Sequence, residues 1–205
     1  MTMIDFEFAR TIKGFMTDEE AEKLYNTALD AATLGPCLEI GSYCGKSAYF
    51  LGLACKQRQG ILFSLDHHRG SEEQQPGEEY FDPELFDQNL GRINTFNFFQ
   101  TTLERAGLLS TVVPIVSDSK TAARMWATQL SLLFIDGGHS FEAASNDLRL
   151  WAPHIMKDGF LVIHDIFFDE ALGGQAPRKI YESALASGDY EAVSLTQTLG
   201  VLRRC

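Results

Sequence analysis

The stretch that most constrains this chain runs from Cys37 to Ala48, Cys-Leu-Glu-Ile-Gly-Ser-Tyr-Cys-Gly-Lys-Ser-Ala. A short apolar segment ends at Gly41, a second glycine follows at Gly45, and Lys46 to Gln57 reads as a helix. A strand, a glycine turn and a helix form a corner suited to a nucleotide. Glycine turns the backbone tightly and lets a ligand approach, and the first turn of the helix offers free N–H groups. Glu39 lies inside the strand end, and Asp66 ends the next apolar segment, Ile61 to Asp66. An acid about 20 residues past the glycines is placed to accept hydrogen bonds from a ribose.

The spacing separates the ligands such a corner could hold. Gly45-Lys46-Ser47 has the ending of a phosphate-gripping loop, but only three residues part Gly41 from Gly45, where that motif needs four. A dinucleotide fingerprint needs a glycine where Tyr43 stands, so a pyrophosphate could not come close. An adenosine ligand without phosphates is the third candidate. A glycine turn with no ligand is the remaining alternative, and the acid at Asp66 and the later segments weigh against it.

The 205 residues suffice for one domain with a sizeable core, taken as 1–205 with a helical extension over 1–35. A formal net charge of −11 argues against nucleic acid and anionic membranes as partners. No stretch approaches the ~20 apolar residues of a membrane span, and the first ten residues do not read as a signal peptide. A cytoplasmic protein is the expectation. The four cysteines, Cys37, Cys44, Cys55 and Cys205, show no C-x-x-C spacing and read as thiols.

Along the chain, Thr17 and Glu20 form a capping box for a helix with an apolar stripe at Ala21, Leu24, Tyr25 and Ala28. A polar loop from His67 to Tyr80 is too long for an ordinary connection. Leu85 to Ala106 reads as one helix, with Gly91 as a soft point. Val112 to Val116 reads as a strand whose Pro114 predicts an edge position. A helix follows over Lys120 to Thr128, then a fully buried strand over Leu130 to Ile135. Next come a helix over Phe141 to Trp151, a strand over Phe160 to Ile163, and a helix over Ala176 to Ser187. Tyr190 to Thr196 and Gly200 to Arg204 pair antiparallel. The order predicts an α/β fold, a doubly wound, mainly parallel seven-stranded sheet with a C-terminal antiparallel strand pair. Ligands of such sheets sit outside the strand C-terminal ends. Glu39, Gly41, Asp66, Ser117, Asp118, Asp136, His139, His164 and Asp165 all fall there.

Glu-x-Gly-x-x-x-Gly over Glu39 to Gly45 resembles motif I of class I S-adenosylmethionine-dependent methyltransferases. Phe134-Ile135-Asp136-Gly137-Gly138-His139-Ser140-Phe141 and Asp158 to Asp165 resemble the F-I-D-G-x-H-x-Y and G-G-x-I-x-x-H-D stretches of a bacterial subgroup. That subgroup is related to natural-product sugar O-methyltransferases and, more distantly, to catechol-type ones. The resemblance spans about residues 36–204 and implies a Rossmann-like methyltransferase fold. A cephalosporin-hydroxylase-like branch shares the fold, so fold alone does not fix function.

The resemblance implies an enzyme that methylates a hydroxyl of a small molecule with S-adenosylmethionine as cofactor. Glu39, Gly41 and Gly45, with Ser42 and Ser47 beside them, would line the methionine and ribose side. Asp66 would hold the ribose hydroxyls, and Asp118, with Ser117, the adenine amino group. Asp136, which also adjoins the cofactor, and Asp165 match positions that hold a divalent metal in metal-dependent relatives. His139 matches a general base. The chain departs from the pattern at His164 and Ile166, where a further oxygen ligand is usual. With His67 or His68 from the long loop, Asp136, His164 and Asp165 make a candidate site for magnesium, manganese or zinc. The alternative is that His164 and Asp165 satisfy backbone groups at a strand end. Two other functions stay open, a non-catalytic S-adenosylmethionine-binding protein and an NAD-dependent oxidoreductase. Acceptor choice is expected in Met1–Thr33, 67–84 and 166–177, and a homodimer accords with the family.

Overall fold

The computed structural model describes residues 4–138 and 140–205. In chain order the elements are α1 (Phe6–Thr11), α2 (Asp18–Ala31), β1 (Cys37–Ile40), α3 (Lys46–Gln57), β2 (Leu62–Asp66), β3 (Phe86–Asp87), β4 (Arg92–Ile93) and α4 (Phe96–Arg105). They continue as β5 (Val112–Val116), α5 (Ser119–Ala123), β6 (Leu130–Ile135), α6 (Phe141–Trp151), β7 (Ile155–Ile163), α7 (Ala176–Ala186), β8 (Tyr190–Thr196) and β9 (Leu199–Arg204).

Seven strands form one sheet in the order β5-β2-β1-β6-β7-β9-β8. The first five run parallel, and β9 pairs antiparallel with both β7 and β8. The architecture expected from the alternating pattern is the one observed, and Pro114 lies on edge strand β5. After β1 the chain builds outward through β2 and β5, then crosses back to lay β6 on the other side of β1. That reversal opens a crevice at the C-terminal ends of β1 and β6, where ligands of doubly wound sheets bind.

Period-two alternation sends side chains to two core layers. Leu132, Phe134 and Val162 join Leu24, Phe50 and Phe99 of α2, α3 and α4 on one face. Leu133, Ile135 and Leu161 join Trp151 and Ile180 of α6 and α7 on the other. Full burial of each such side chain contributes about 1.5–3 kcal/mol. Because both faces are covered, β6 is buried at all six positions, as its unbroken apolar run requires.

Helix α2 starts as its capping box predicts. Thr17 N–H donates to Glu20 Oε2 at 3.1 Å, and Glu20 N–H donates to Thr17 Oγ1 at 3.4 Å. The stripe Ala21, Leu24, Tyr25 and Ala28 is buried.

The long helix expected over Leu85 to Ala106 is replaced by a small hairpin, β3 and β4, followed by α4. Asp87 Oδ1 accepts from the N–H groups of Asn89 and Leu90, an Asx-type turn that competes with helix, and Gly91 takes φ +63°. Leu85 and Ile93 then bury against Cys44. The helix expected over Lys120 to Thr128 ends at Ala123. Trp126 instead packs edge-on against Phe63 and Trp151. Strand β7 begins at Ile155, five residues before the expected start, and carries an irregularity opposite Leu130 and Leu132.

Candidate functional site

The crevice is a cavity of about 960 Å³, large enough for a cofactor and a second small molecule. Its floor is made by Gly41 to Tyr43 after β1, Asp66 and His67 after β2, Ser117 to Lys120 after β5, Asp136 to Gly138 after β6, and His164 and Asp165 after β7. Its rim comes from residues 13–17, 70–74, 78–80 and 172–174. Parts of the three stretches expected to choose the acceptor therefore border the cavity, while residues 1–3 lie outside the described residues.

Asp66 holds the glycine corner in shape. Its Oδ2 accepts the N–H groups of Ser42 and Tyr43 at 3.0 and 2.8 Å, and its Oδ1 that of His68 at 2.6 Å. Tyr43 has φ +47°, a conformation those bonds help to hold. Gly41 has φ +90°, and a Cβ there would fall on the carbonyl of Asp136, well inside contact distance. This glycine lets the β1 and β6 ends meet, a packing reason in addition to any ligand. Gly45, the N-cap of α3 at φ +92°, faces Thr102 and Phe99 of α4 and is not part of the cavity wall.

Glu39 lies beneath the corner, fully buried and off the cavity wall. Its two oxygens meet Ser47 Oγ at 2.7 Å and Ser64 Oγ at 2.5 Å. Burial pushes its carboxyl up to about 8, against the opposing hydroxyls, so it is neutral at pH 7. Ser42 and Ser47 do line the cavity, and Ser42 Oγ is buried without a hydrogen-bond partner. Ser117 and Asp118 border the cavity too. Asp118 caps α5, accepting from Thr121 N–H at 2.8 Å.

Asp136, His164 and Asp165 gather at the ends of β6 and β7, with candidate donor atoms within 4.8 Å of one another. His164 Nδ1 is 3.1 Å from Asp136 Oδ1 and 3.5 Å from Asp165 Oδ1. Its Nε2 is 3.4 Å from Glu20 Oε2, an ion-pair separation without hydrogen-bond geometry. Burial opposes a charge on this ring. The carboxylates of Asp136, Glu20 and Asp165 outweigh it and push the imidazole up to about 11. Glu20 answers in kind: burial would raise its pKa, yet His164, Thr198 and Thr17 hold it far below the ordinary carboxylate range.

The loop histidines do not join this group. His67 is exposed at its side chain, and its Nδ1 accepts from Arg69 N–H at 3.0 Å. His68 is buried, with Nδ1 2.8 Å from Thr95 Oγ1 and its ring against Phe96 and Phe99. Burial pushes His68 down, toward the neutral ring. Its place is in packing beneath the loop. His139 lies outside the described residues.

Four participants were not legible as such. Glu20 reads in sequence only as a cap, and its partners lie 144 and 178 residues further on. Asp147, in the second turn of α6, is buried and borders the cavity. Phe15 and Tyr80 meet at 5.5 Å on the rim, with Tyr43 6.2 Å from Phe15. A carboxylate on an otherwise apolar helix face is the one signal that could have found Asp147.

A cavity at the switch point, with glycines on one strand end and acids on its neighbours, is the ligand site of a Rossmann-like fold. The methyltransferase-domain family matches residues 38–166, more than half of the chain, and the chain belongs to that family. It is an enzyme of the S-adenosylmethionine-dependent kind. Among solved structures, it is similar to the O-methyltransferase NovP at 14% identity and TM-score 0.67, over 91% of this chain and 79% of that one. An O-methyltransferase from Bacillus cereus, solved in complex with SAH, matches at 12% identity and TM-score 0.65, over 96% and 85%. CalS11, a calicheamicin methyltransferase, matches at 14% identity and TM-score 0.61, over 89% and 76%. At these identities the likeness speaks for the fold.

Proposed function

We propose that this protein transfers the methyl group of S-adenosylmethionine to a hydroxyl of a small molecule. The observation that carries this reading is the cavity itself, in which the glycine corner faces the Asp136–His164–Asp165 cluster across the sheet switch point. The O-methyltransferases among its structural neighbours support oxygen as the acceptor atom, and the SAH complex supports the cofactor.

The reaction is an in-line displacement. The acceptor oxygen forms a bond to the sulfonium methyl carbon while the carbon–sulfur bond breaks and its electron pair stays on sulfur. The enzyme's task is to hold oxygen and carbon about 3–3.5 Å apart, aligned. The hydroxyl must lose its proton as the bond forms. His139 is the proposed base, and Asp136, three residues before it, directs the hydroxyl. His164 holds Asp136 in place, its Nδ1 3.1 Å from Asp136 Oδ1.

A divalent metal fits the donor set poorly. Asp136 and Asp165 offer carboxylate oxygens, but His164 turns both ring nitrogens toward carboxylates, so an ion there would have to displace the ring's proton.

Calorimetric titration with S-adenosylmethionine, followed by assay of S-adenosylhomocysteine release with hydroxylated acceptors, tests the reading. Saturable binding and acceptor-dependent release are expected. Binding without release from any acceptor would favour a cofactor-binding protein, and binding of NAD instead would overturn the assignment.

A further inference from the structure

Part of the cavity mouth is made of aromatic rings that the chemistry above does not use. Phe15 comes from the segment between α1 and α2, Tyr80 from the long loop after β2, and Tyr43 from the glycine corner; all three border the cavity. Phe15 meets Tyr80 edge-on, with ring centres 5.5 Å apart and planes at 74°, and lies 6.2 Å from Tyr43. Phe15 nevertheless stays 63% exposed and Tyr80 44%. Rings clustered at the entrance of a cavity and left open to water are surface for a ligand, not core. The cavity also holds a buried group in want of a partner: Ser42, next to Tyr43, is 1% exposed, and its Oγ has no hydrogen bond among the described residues.

The same rim has a charge of one sign. Glu72, Glu78 and Glu79 of the long loop are exposed, border the cavity and make no ion pair among the described residues. The lysines of the neighbouring segments are already engaged. Lys13 pairs with Asp82 and, at 2.7 Å, with Glu84, while Lys46 Nζ donates to the Gly14 carbonyl at 3.1 Å. The segment that carries Phe15 continues into α2, where Glu20 faces His164. It therefore joins the aromatic entrance to the Asp136–His164–Asp165 cluster, where the acceptor hydroxyl must stand.

Resting on the O-methyl transfer proposed above, we propose that the acceptor is a hydroxylated amine, its ammonium group held against the rings of Phe15 and Tyr80. The face of an aromatic ring is electronegative, so it attracts a cation and gives a carboxylate or phosphate nothing. The loop glutamates add the longer-range part, since an acidic entrance concentrates cations and turns anions away. A neutral alcohol gains the apolar contact alone.

The test is calorimetric titration of the protein saturated with S-adenosylhomocysteine, using three phenols of one shape: tyramine, para-ethylphenol and phloretate, which are cationic, neutral and anionic. Tyramine is expected to bind about fivefold tighter than para-ethylphenol or better, the effect of a cation on a ring face, with phloretate weakest. Phe15→Leu/Tyr80→Leu keeps apolar bulk at two exposed positions and should bring tyramine close to para-ethylphenol. Glu78→Gln/Glu79→Gln should narrow the gap between tyramine and phloretate. Phe168→Leu, whose ring lies against Arg178 and off the cavity wall, should keep the wild-type order. Equal binding of tyramine and para-ethylphenol by the wild type overturns the inference, as does tightest binding of phloretate, binding of none of the three, or an order that survives in the Phe15→Leu/Tyr80→Leu variant. In each of those cases saturable binding of S-adenosylhomocysteine leaves the proposed methyl transfer standing; its absence overturns that reading, and this inference with it.

Discussion

Glu20, in the first turn of α2, stands 3.4 Å from Nε2 of His164 at the end of β7. The same carboxylate accepts from Thr198 N–H at 2.9 Å and Thr198 Oγ1 at 2.7 Å. One side chain thus starts a helix, anchors the β8–β9 turn and faces the ring that steadies Asp136. Replacing it with alanine leaves a buried imidazolium short of one partner. Glu20→Ala is expected to lose about 3–5 kcal/mol of stability, with turnover reduced in the folded fraction. Urea unfolding compared with Glu20→Gln, which keeps most of the hydrogen bonds, measures it; equal midpoints for wild type and alanine variant would refute the linkage.

Glu39 makes stability depend on pH. Its folded carboxyl titrates near 8, against an ordinary value of 4.5. Between those values the folded protein holds a proton that the unfolded chain has released. The contribution is therefore full below about 4.5 and lost as pH rises through about 8. Glu39→Gln, neutral throughout, should flatten this slope. Denaturant midpoints at pH 5 and pH 8 would show the variant losing less than wild type; parallel losses would mean Glu39 is ionised in the folded state.

His139→Ala should lower turnover by roughly 10²–10⁴ while S-adenosylmethionine affinity stays near wild type. Loss of affinity with turnover would make His139 a cofactor contact and remove it as the base.

Chelation separates the two electrostatic designs for the Asp136 cluster. Because His164 occupies the space between the acids as a cation, EDTA is expected to leave turnover unchanged. Restoration of chelator-inhibited turnover by magnesium, manganese or zinc would show that His164 gives way to a metal.

Gly41→Ala places a methyl group on the Asp136 carbonyl in a backbone conformation that alanine avoids. The expected cost is at least about 2 kcal/mol, with weaker cofactor binding as β1 and β6 part. Thermal unfolding with and without S-adenosylhomocysteine measures both.

The alternating apolar runs made the sheet legible, since strands buried on both faces leave little else for Leu130 to Ile135 to be. The strand C-terminal ends gather Asp66, Asp136, His164 and Asp165 at one edge of the sheet, as the apolar pattern implies. What stayed hidden was set by distant contacts. Asp87 and Gly91 broke a helix that periodicity favoured, because Leu85 and Ile93 gain more by closing on Cys44. His67 and His68 are adjacent in sequence, yet one is exposed and the other buried against two phenylalanines, a difference decided by α4. Glu39 and Gly45 match a cofactor motif but act from behind the wall, through Ser47 and against α4.

Thr198 and Glu20 are separated by 178 residues, and Gln197 reaches Glu19 across the same gap. A growing chain can shape the β1–α3 corner once β2 brings Asp66 beneath it, whereas the clasp that secures α2 needs the hairpin that follows β7. The cavity should consequently form in two stages during refolding, first the glycine corner, then the side under α2 once that hairpin docks.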